Sequence, residues 1–186
     1  MVNNGLTDEK LVQRAAEGDK KAFEEIYDRY SGRLYNYFYR MLYQDEQLAK
    51  DQTQELFLKL VEKASQFHAE RSFQTWIFSI ANNMCKNIYR HEEVRKRAQN
   101  EMAVSLTSES GKTSDELDKR AFKKALKEEL DGYDAERKSI FILRFKHHLS
   151  IKEIAETTGI AEGTVKSKLF YTLRKLSTQL ASFNPK

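Results

Sequence analysis

The sequence predicts an all-α protein: two small helical domains joined by a flexible linker, the second a helix-turn-helix. Three observations carry that prediction. The 186 residues include one proline, Pro185, and only seven glycines, so the strongest helix breakers are nearly absent. Apolar residues recur at three- and four-residue steps along most of the chain, the period of one helical face. That pattern stops once, over 98–118 (AQNEMAVSLTSESGKTSDELD), a stretch rich in Ser, Thr, Glu and Asp with no aromatic residue. The expected domains are therefore 1–97 and 119–186, with 98–118 as the tether.

A short first helix spans about 8–17. The second starts at Asp19, a good N-cap, and carries Phe23, Ile26, Tyr30, Leu34, Phe38 and Met41 on one side. A third, over 46–65, holds Leu48, Leu56, Phe57, Leu60, Val61 and Ala64. The fourth is the most regular, with Phe73, Trp76, Ile77, Ile80, Ala81, Met84, Cys85 and Ile88, and it ends near Arg97. After the tether, Ala125, Leu126 and Leu130 resume the helical period and Gly132 breaks it. Asp134 caps a helix containing Ile140, Phe141 and Leu143. Ser150 caps a short one with Ile154 and Ala155, and Gly159 supplies the turn into a last helix over 162–180. On that last helix Val165, Leu169 and Leu173 are expected to point inward.

Composition bounds the function. Lys and Arg number 32 against 28 acids, a net charge of +4, too small to identify a partner by itself. A single cysteine excludes an internal disulfide framework and suits a reducing compartment. No run reaches the roughly 18 apolar residues of a membrane span, and the first residues do not read as a signal peptide. A cytoplasmic protein without stable membrane insertion is expected. His147 and His148 are adjacent, so on a helix their rings diverge by about 100° and cannot chelate one metal. No nucleophile-base grouping, phosphate loop or metal-spaced carboxylates stand out, so neither a catalytic site, a metal nor a cofactor is expected.

Two surfaces have chemistry suited to nucleic acid. The segment 150–176 has helix-turn-helix grammar: small Ala155 for close crossing, Gly159 for a turn of positive φ, and Ile160 and Val165 closing the angle. This leaves Thr164, Lys166, Ser167, Lys168, Phe170 and Tyr171 outward near the start of a recognition helix, where base edges are read. A plain helical hairpin with a basic face is the bland alternative. The second surface is the outer face of the fourth helix, with Asn82, Asn83, Lys86, Asn87 and Arg90. The loop beside it, with Phe67, His68, Arg71 and Ser72, could receive an unstacked base. The same residues also fit a stand-alone regulator with a sensing bundle, or a helical adaptor with no DNA role.

Four stretches in this order resemble the bacterial sigma-70 family of RNA polymerase sigma factors, in its small extracytoplasmic-function group. They are AAEGDKKAFEEIYDRYSGRLYNYFYRML (15–42), DQTQELFLKL (51–60), RSFQTWIFSIANNMCKNIYR (71–90) and SIKEIAETTGIAEGTVKSKLF (150–170). The resemblance implies a non-enzymatic factor that binds core RNA polymerase and directs it to promoter DNA, held as duplex and as melted strand. It assigns polymerase docking to Asp51, Gln54, Glu55 and Leu58. The surrounding 45–70 segment holds six acids and three bases, which suits a basic partner helix. It assigns capture of the melted minus-ten strand to Phe67, His68, Arg71, Ser72, Asn83, Lys86, Asn87 and Arg90. Duplex minus-thirty-five reading falls to Thr164, Lys166, Ser167, Lys168, Phe170 and Tyr171. An anti-sigma factor is an implied partner. Lys50, His148, Ala161 and Tyr171 depart from the family's usual acid, glycine, Ser or Pro, and arginine, so promoter preference does not transfer.

Overall fold

A computed structural model describes residues 5–68, 70–99 and 114–183. Among these, eight helices follow one another: α1 (Asp8–Ala16), α2 (Lys20–Met41), α3 (Glu46–Lys63), α4 (Phe73–Gln99), α5 (Ser114–Asp131), α6 (Ala135–Phe145), α7 (Ile151–Thr158) and α8 (Glu162–Gln179). Single 3-10 turns follow α3 at Ala64–Gln66 and α8 at Ala181–Phe183. Most of the expected tether, 100–113, lies outside the described residues. Helix reaches into both of its ends, since α4 runs to Gln99 and α5 begins at Ser114.

Short side chains start the helices of the N-terminal module. Thr7, Asp19 and Asp45 each accept from a backbone N–H of the first turn, satisfying donors that have no partner inside the helix. Behind them, Leu11, Ile26, Leu34, Phe38, Leu56, Leu60, Phe73, Ile77 and Phe78 are fully buried. Each contributes roughly 1.5–3 kcal/mol of apolar burial. Polar contacts set how α1 lies. Asp8 accepts from Arg29 at 2.7 Å and from the Tyr30 hydroxyl at 2.5 Å, and Glu9 caps the start of α4 by accepting from the Phe73 N–H at 3.1 Å. Cys85 lies in this core with its thiol pushed up by burial, the environment of an inert thiol.

In the C-terminal module, Asp134 accepts from the Arg137 N–H at 2.7 Å. Ser150 and Glu153 form a reciprocal capping box at the start of α7. Gly159 ends α7 at φ 74°, a conformation that costs a side-chain-bearing residue energy. Ala161 gives the first amides of α8 no side-chain acceptor.

The two modules pack on each other, an arrangement that helical periodicity does not encode. Helix α7 lies along α4, and α6 crosses α2 and α4. At the centre of this seam the Tyr37 hydroxyl, the Asn82 amide and the Ser139 hydroxyl are all buried and bonded together. Ser139 donates to Asn82 Oδ1 at 2.9 Å, and Tyr37 lies 2.9 Å from Ser139 and 3.3 Å from Asn82. The His147 ring inserts against Tyr37 and Phe78 at 5.8 and 4.6 Å between centroids. Gln74 donates to the His147 carbonyl at 3.4 Å, and the Lys86 ammonium donates to the Thr158 carbonyl at 3.1 Å. Buried Lys138 pairs with Asp131 at 2.5 Å and stands 5.5 Å from the centre of the Tyr43 ring.

His147 makes the seam sensitive to acid. Burial, then the positive charges of Arg33, Arg40 and His148, lower its pKa to about 4. A histidine lowered on folding supports the native state above its ordinary value near 6.5 and withdraws that support as pH falls toward the folded value. The melting temperature should therefore fall as pH drops from about 7 to about 4.5. In His147→Leu that part of the slope should disappear, which thermal denaturation across the pH series checks.

Candidate nucleic-acid interface

Helix α8 turns Val165, Leu169, Thr172 and Leu176 into the C-terminal module, where they are buried. Leu173, expected inside, is 45% exposed and Thr172 takes the buried place. The reason is geometric. Two successive four-residue steps from Val165 drift about 80° around the helix, whereas a four followed by a three stays within about 20°. The opposite face presents Thr164, Lys166, Ser167, Phe170 and Tyr171 to solvent. Phe170 and Tyr171 meet edge to face at 5.4 Å, and Ser167 donates to the Thr164 carbonyl at 3.0 Å. Lys168 is turned aside: its ammonium pairs with Glu136 of α6 at 2.7 Å.

On α4, Asn83, Asn87 and Arg90 are exposed, and Arg90 donates to the Asn87 side-chain oxygen at 3.2 Å. That bond leaves the Asn87 amide nitrogen free to donate outward. Two members of the face expected from sequence belong instead to the seam. Asn82 is 1% exposed, and half-buried Lys86 reaches α7. In the preceding loop His68 and Arg71 are exposed and Ser72 is half-buried. Phe67, expected in the base-receiving loop, is instead a core residue. It is buried with its ring 5.7 Å from Phe73 and 5.2 Å from Trp76.

That loop also forms a cleft of about 450 Å³ with α1, walled by Thr7, Glu9, Lys10 and Gln13 opposite Glu70, Arg71 and Ser72. The α1 wall was missed from sequence. Nothing in its spacing shows that Glu9 caps α4 and so brings α1 beside the loop.

Helix α3 buries Ala49, Thr53, Leu56, Phe57 and Leu60. Its other side shows Asp51, Gln54 and Glu55 together with Leu58 and Val61, each of the two apolar residues 62% exposed. Val61, expected in the core, widens this outward apolar patch. Gln47 donates to Asp51 at 2.9 Å, and Lys59 pairs with Glu55 at 2.7 Å, so the acidic stripe is partly organised by its own helix. Among the described residues no group of three or more His, Cys, Asp or Glu side chains could hold a metal ion. No described helix is long and apolar enough to cross a membrane.

Both modules match known sequence families. Residues 26–95 match Sigma-70 region 2, and residues 125–176 match Sigma-70, region 4. The chain belongs to the sigma-70 family. It is similar to the ECF RNA polymerase sigma-E factor of Haemophilus influenzae, 29% identical, covering 89% of this chain and 90% of the relative. It is also similar to the ECF RNA polymerase sigma factor SigW of Bacillus subtilis, 25% identical, covering 92% and 95%. The fold recurs in a chain of the solved complex of CnrH with the cytosolic domain of CnrY. There the TM-score is 0.70 at 20% identity, over 94% of this chain and 97% of that one. As a sigma factor of the extracytoplasmic-function group, the protein binds core RNA polymerase and directs promoter-specific initiation.

The burial of Phe67 separates structure from recognition within one loop. Phe67→Ala should lower stability by about 3–5 kcal/mol, the cost of an emptied aromatic site. Exposed His68→Ala should stay within about 0.5 kcal/mol of the parent. Urea denaturation of both variants checks the contrast.

Proposed function

We propose that this sigma factor divides promoter recognition between the exposed face of α4 and the exposed face of α8, while α3 docks on polymerase. The observation that carries this reading is that both outward faces survive the packing of the modules. Asn83, Asn87 and Arg90 remain exposed on one, and Thr164, Lys166, Ser167, Phe170 and Tyr171 on the other. In this reading the modules are 1–97 and 119–186, with 98–118 between them. Asn83 and Asn87 bond to edges of the melted minus-ten strand, Arg90 holds its phosphates, and the cleft beside His68, Arg71 and Ser72 receives an unstacked base. The α8 face lies in the major groove of the minus-thirty-five duplex. Asp51, Gln54, Glu55 and Leu58 meet a basic helix of polymerase, with Val61 extending the apolar part of the contact.

The closed packing cannot serve both elements together. Their names place them about 25 base pairs apart, or about 85 Å of duplex at 3.4 Å per pair. A compact chain of this length has a radius of gyration of about 16 Å. Initiation therefore requires the seam to part, and Lys86 then exchanges the Thr158 carbonyl for a DNA phosphate. The factor performs no chemistry of its own; polymerase supplies the catalysis. It acts in the cytoplasm and takes no cofactor. An anti-sigma partner fits the same reading, since a chain similar to this one in fold was solved as sigma factor RpoE in complex with the anti-sigma factor NepR from Bartonella quintana.

Run-off transcription with core polymerase on a pool of genomic fragments tests the proposal as a whole. Transcripts from a defined promoter set are expected, and tight specific duplex binding by the chain without polymerase would count against it. Leu58→Glu should weaken binding to core polymerase by about tenfold or more, as a buried apolar contact would. Its melting temperature should not move, because Leu58 is exposed. Asn83→Ala should reduce promoter opening, read by permanganate reactivity of unpaired thymines, while holoenzyme assembly stays at the parental level.

A further inference from the structure

Along one edge of the seam runs an open cleft of about 600 Å³ that belongs to neither DNA-facing surface. Helix α2 contributes Arg33 and Arg40, and the turn between α6 and α7 contributes Lys146, His147 and His148. Its one acidic member is Asp28. Arg29 also lines it, but that guanidinium is committed to Asp8 and Glu25. The cations Arg33, Arg40 and Lys146 have no carboxylate partner among the described residues. Arg33 is held over the Tyr30 and Phe78 rings at 5.1 and 5.6 Å, which fixes its position without neutralising it.

Gathering unpaired cations from two modules on one cleft is unfavourable unless something offsets the repulsion. A second observation points the same way. His148 sits at φ 59°, the left-handed conformation that glycine adopts freely and a residue with a side chain adopts at a cost. The turn thus carries an imidazole facing the cleft at a position where glycine would relieve the backbone. Arginine forks and an ammonium around a cleft of this size suit phosphate oxygens.

We propose that this cleft binds a phosphate-bearing anion, held from both modules at once, and that the ligand thereby favours the closed packing over the open one. A ligand that contacts both sides of the seam binds the closed form better, and its binding energy shifts the equilibrium by that difference. The phosphate can come from a small polyphosphate or from a nucleic-acid backbone, and the two sources call for separate titrations.

The test is calorimetric titration of the full chain at fixed ionic strength, first with inorganic pyrophosphate and then with a ten-nucleotide single strand. One site is expected, weakened about tenfold by Arg40→Gln on α2 and about as much by Lys146→Gln on the other module. Lys21→Gln, which lies about 18 Å along α2 from Arg33, should leave it unchanged. His148→Gly should weaken binding without lowering the melting temperature, a combination that a purely structural role would not give. Saturating pyrophosphate should also reduce the radius of gyration in solution scattering. Binding of the single strand alone, with the same dependence on Arg40 and Lys146, assigns the phosphate to a nucleic-acid backbone. The proposal is overturned if Lys146→Gln binds like the parent, if Lys21→Gln loses as much as Lys146→Gln, or if a polyglutamate peptide is preferred to both phosphates.

Discussion

Tyr37, Asn82 and Ser139 meet where no water reaches, and the rest of the arrangement depends on their need to satisfy one another. A buried hydroxyl or amide without a partner costs about 1–3 kcal/mol. These three come from α2, α4 and α6, and this relative placement of the modules gives each a bond. The aromatic pocket around His147 and the carbonyl contacts from Gln74 and Lys86 fall into line once that placement is set. The same seam leaves the Asn82 amide nitrogen and the Thr75 hydroxyl without partners. Water would bond to both on opening. Such an interface specifies a register more firmly than it stabilises it, which suits the opening proposed for initiation.

Lys86 shows how this couples to function. In the closed form its ammonium caps the end of α7 by donating to Thr158, the last residue before the Gly159 turn. Any DNA strand that takes Lys86 also removes one of the bonds by which α7 is held on α4. In the proposed reading, recognition of the minus-ten strand and release of the C-terminal module thus draw on one side chain. The α8 surface meets no such competition, since it is already exposed in the closed packing.

Most of the helices could be read from the sequence because the signals were local. Asp19, Asp134 and Ser150 cap the helices they were expected to cap, and Gly159 has the positive φ its position demanded. The misplacements arise where a residue's environment is made by something distant. Asn82 has the polarity and spacing of an outer-face residue, and only Ser139, 57 positions away, makes it interior. Phe67 looked like part of a polar loop until Phe73 and Trp76 closed around it. Val61 lies on an apolar-looking helix that has neighbours on one side only. Periodicity reports which residues share a face. It does not report whether another element covers that face.

The charge of the seam makes the molecule responsive to ionic strength. Lys86 closes onto a neutral carbonyl, so closing neutralises no charge there, whereas DNA contacts release condensed counterions and weaken as salt rises. Arg33, Arg40 and Lys146 repel across the cleft, and salt screens that repulsion. Both effects act in one direction. In the proposed reading, added salt favours the closed molecule, and dilution of salt favours the form that holds DNA. The surrounding electrolyte therefore acts on this factor as a bias on its conformation and on its affinity at the same time.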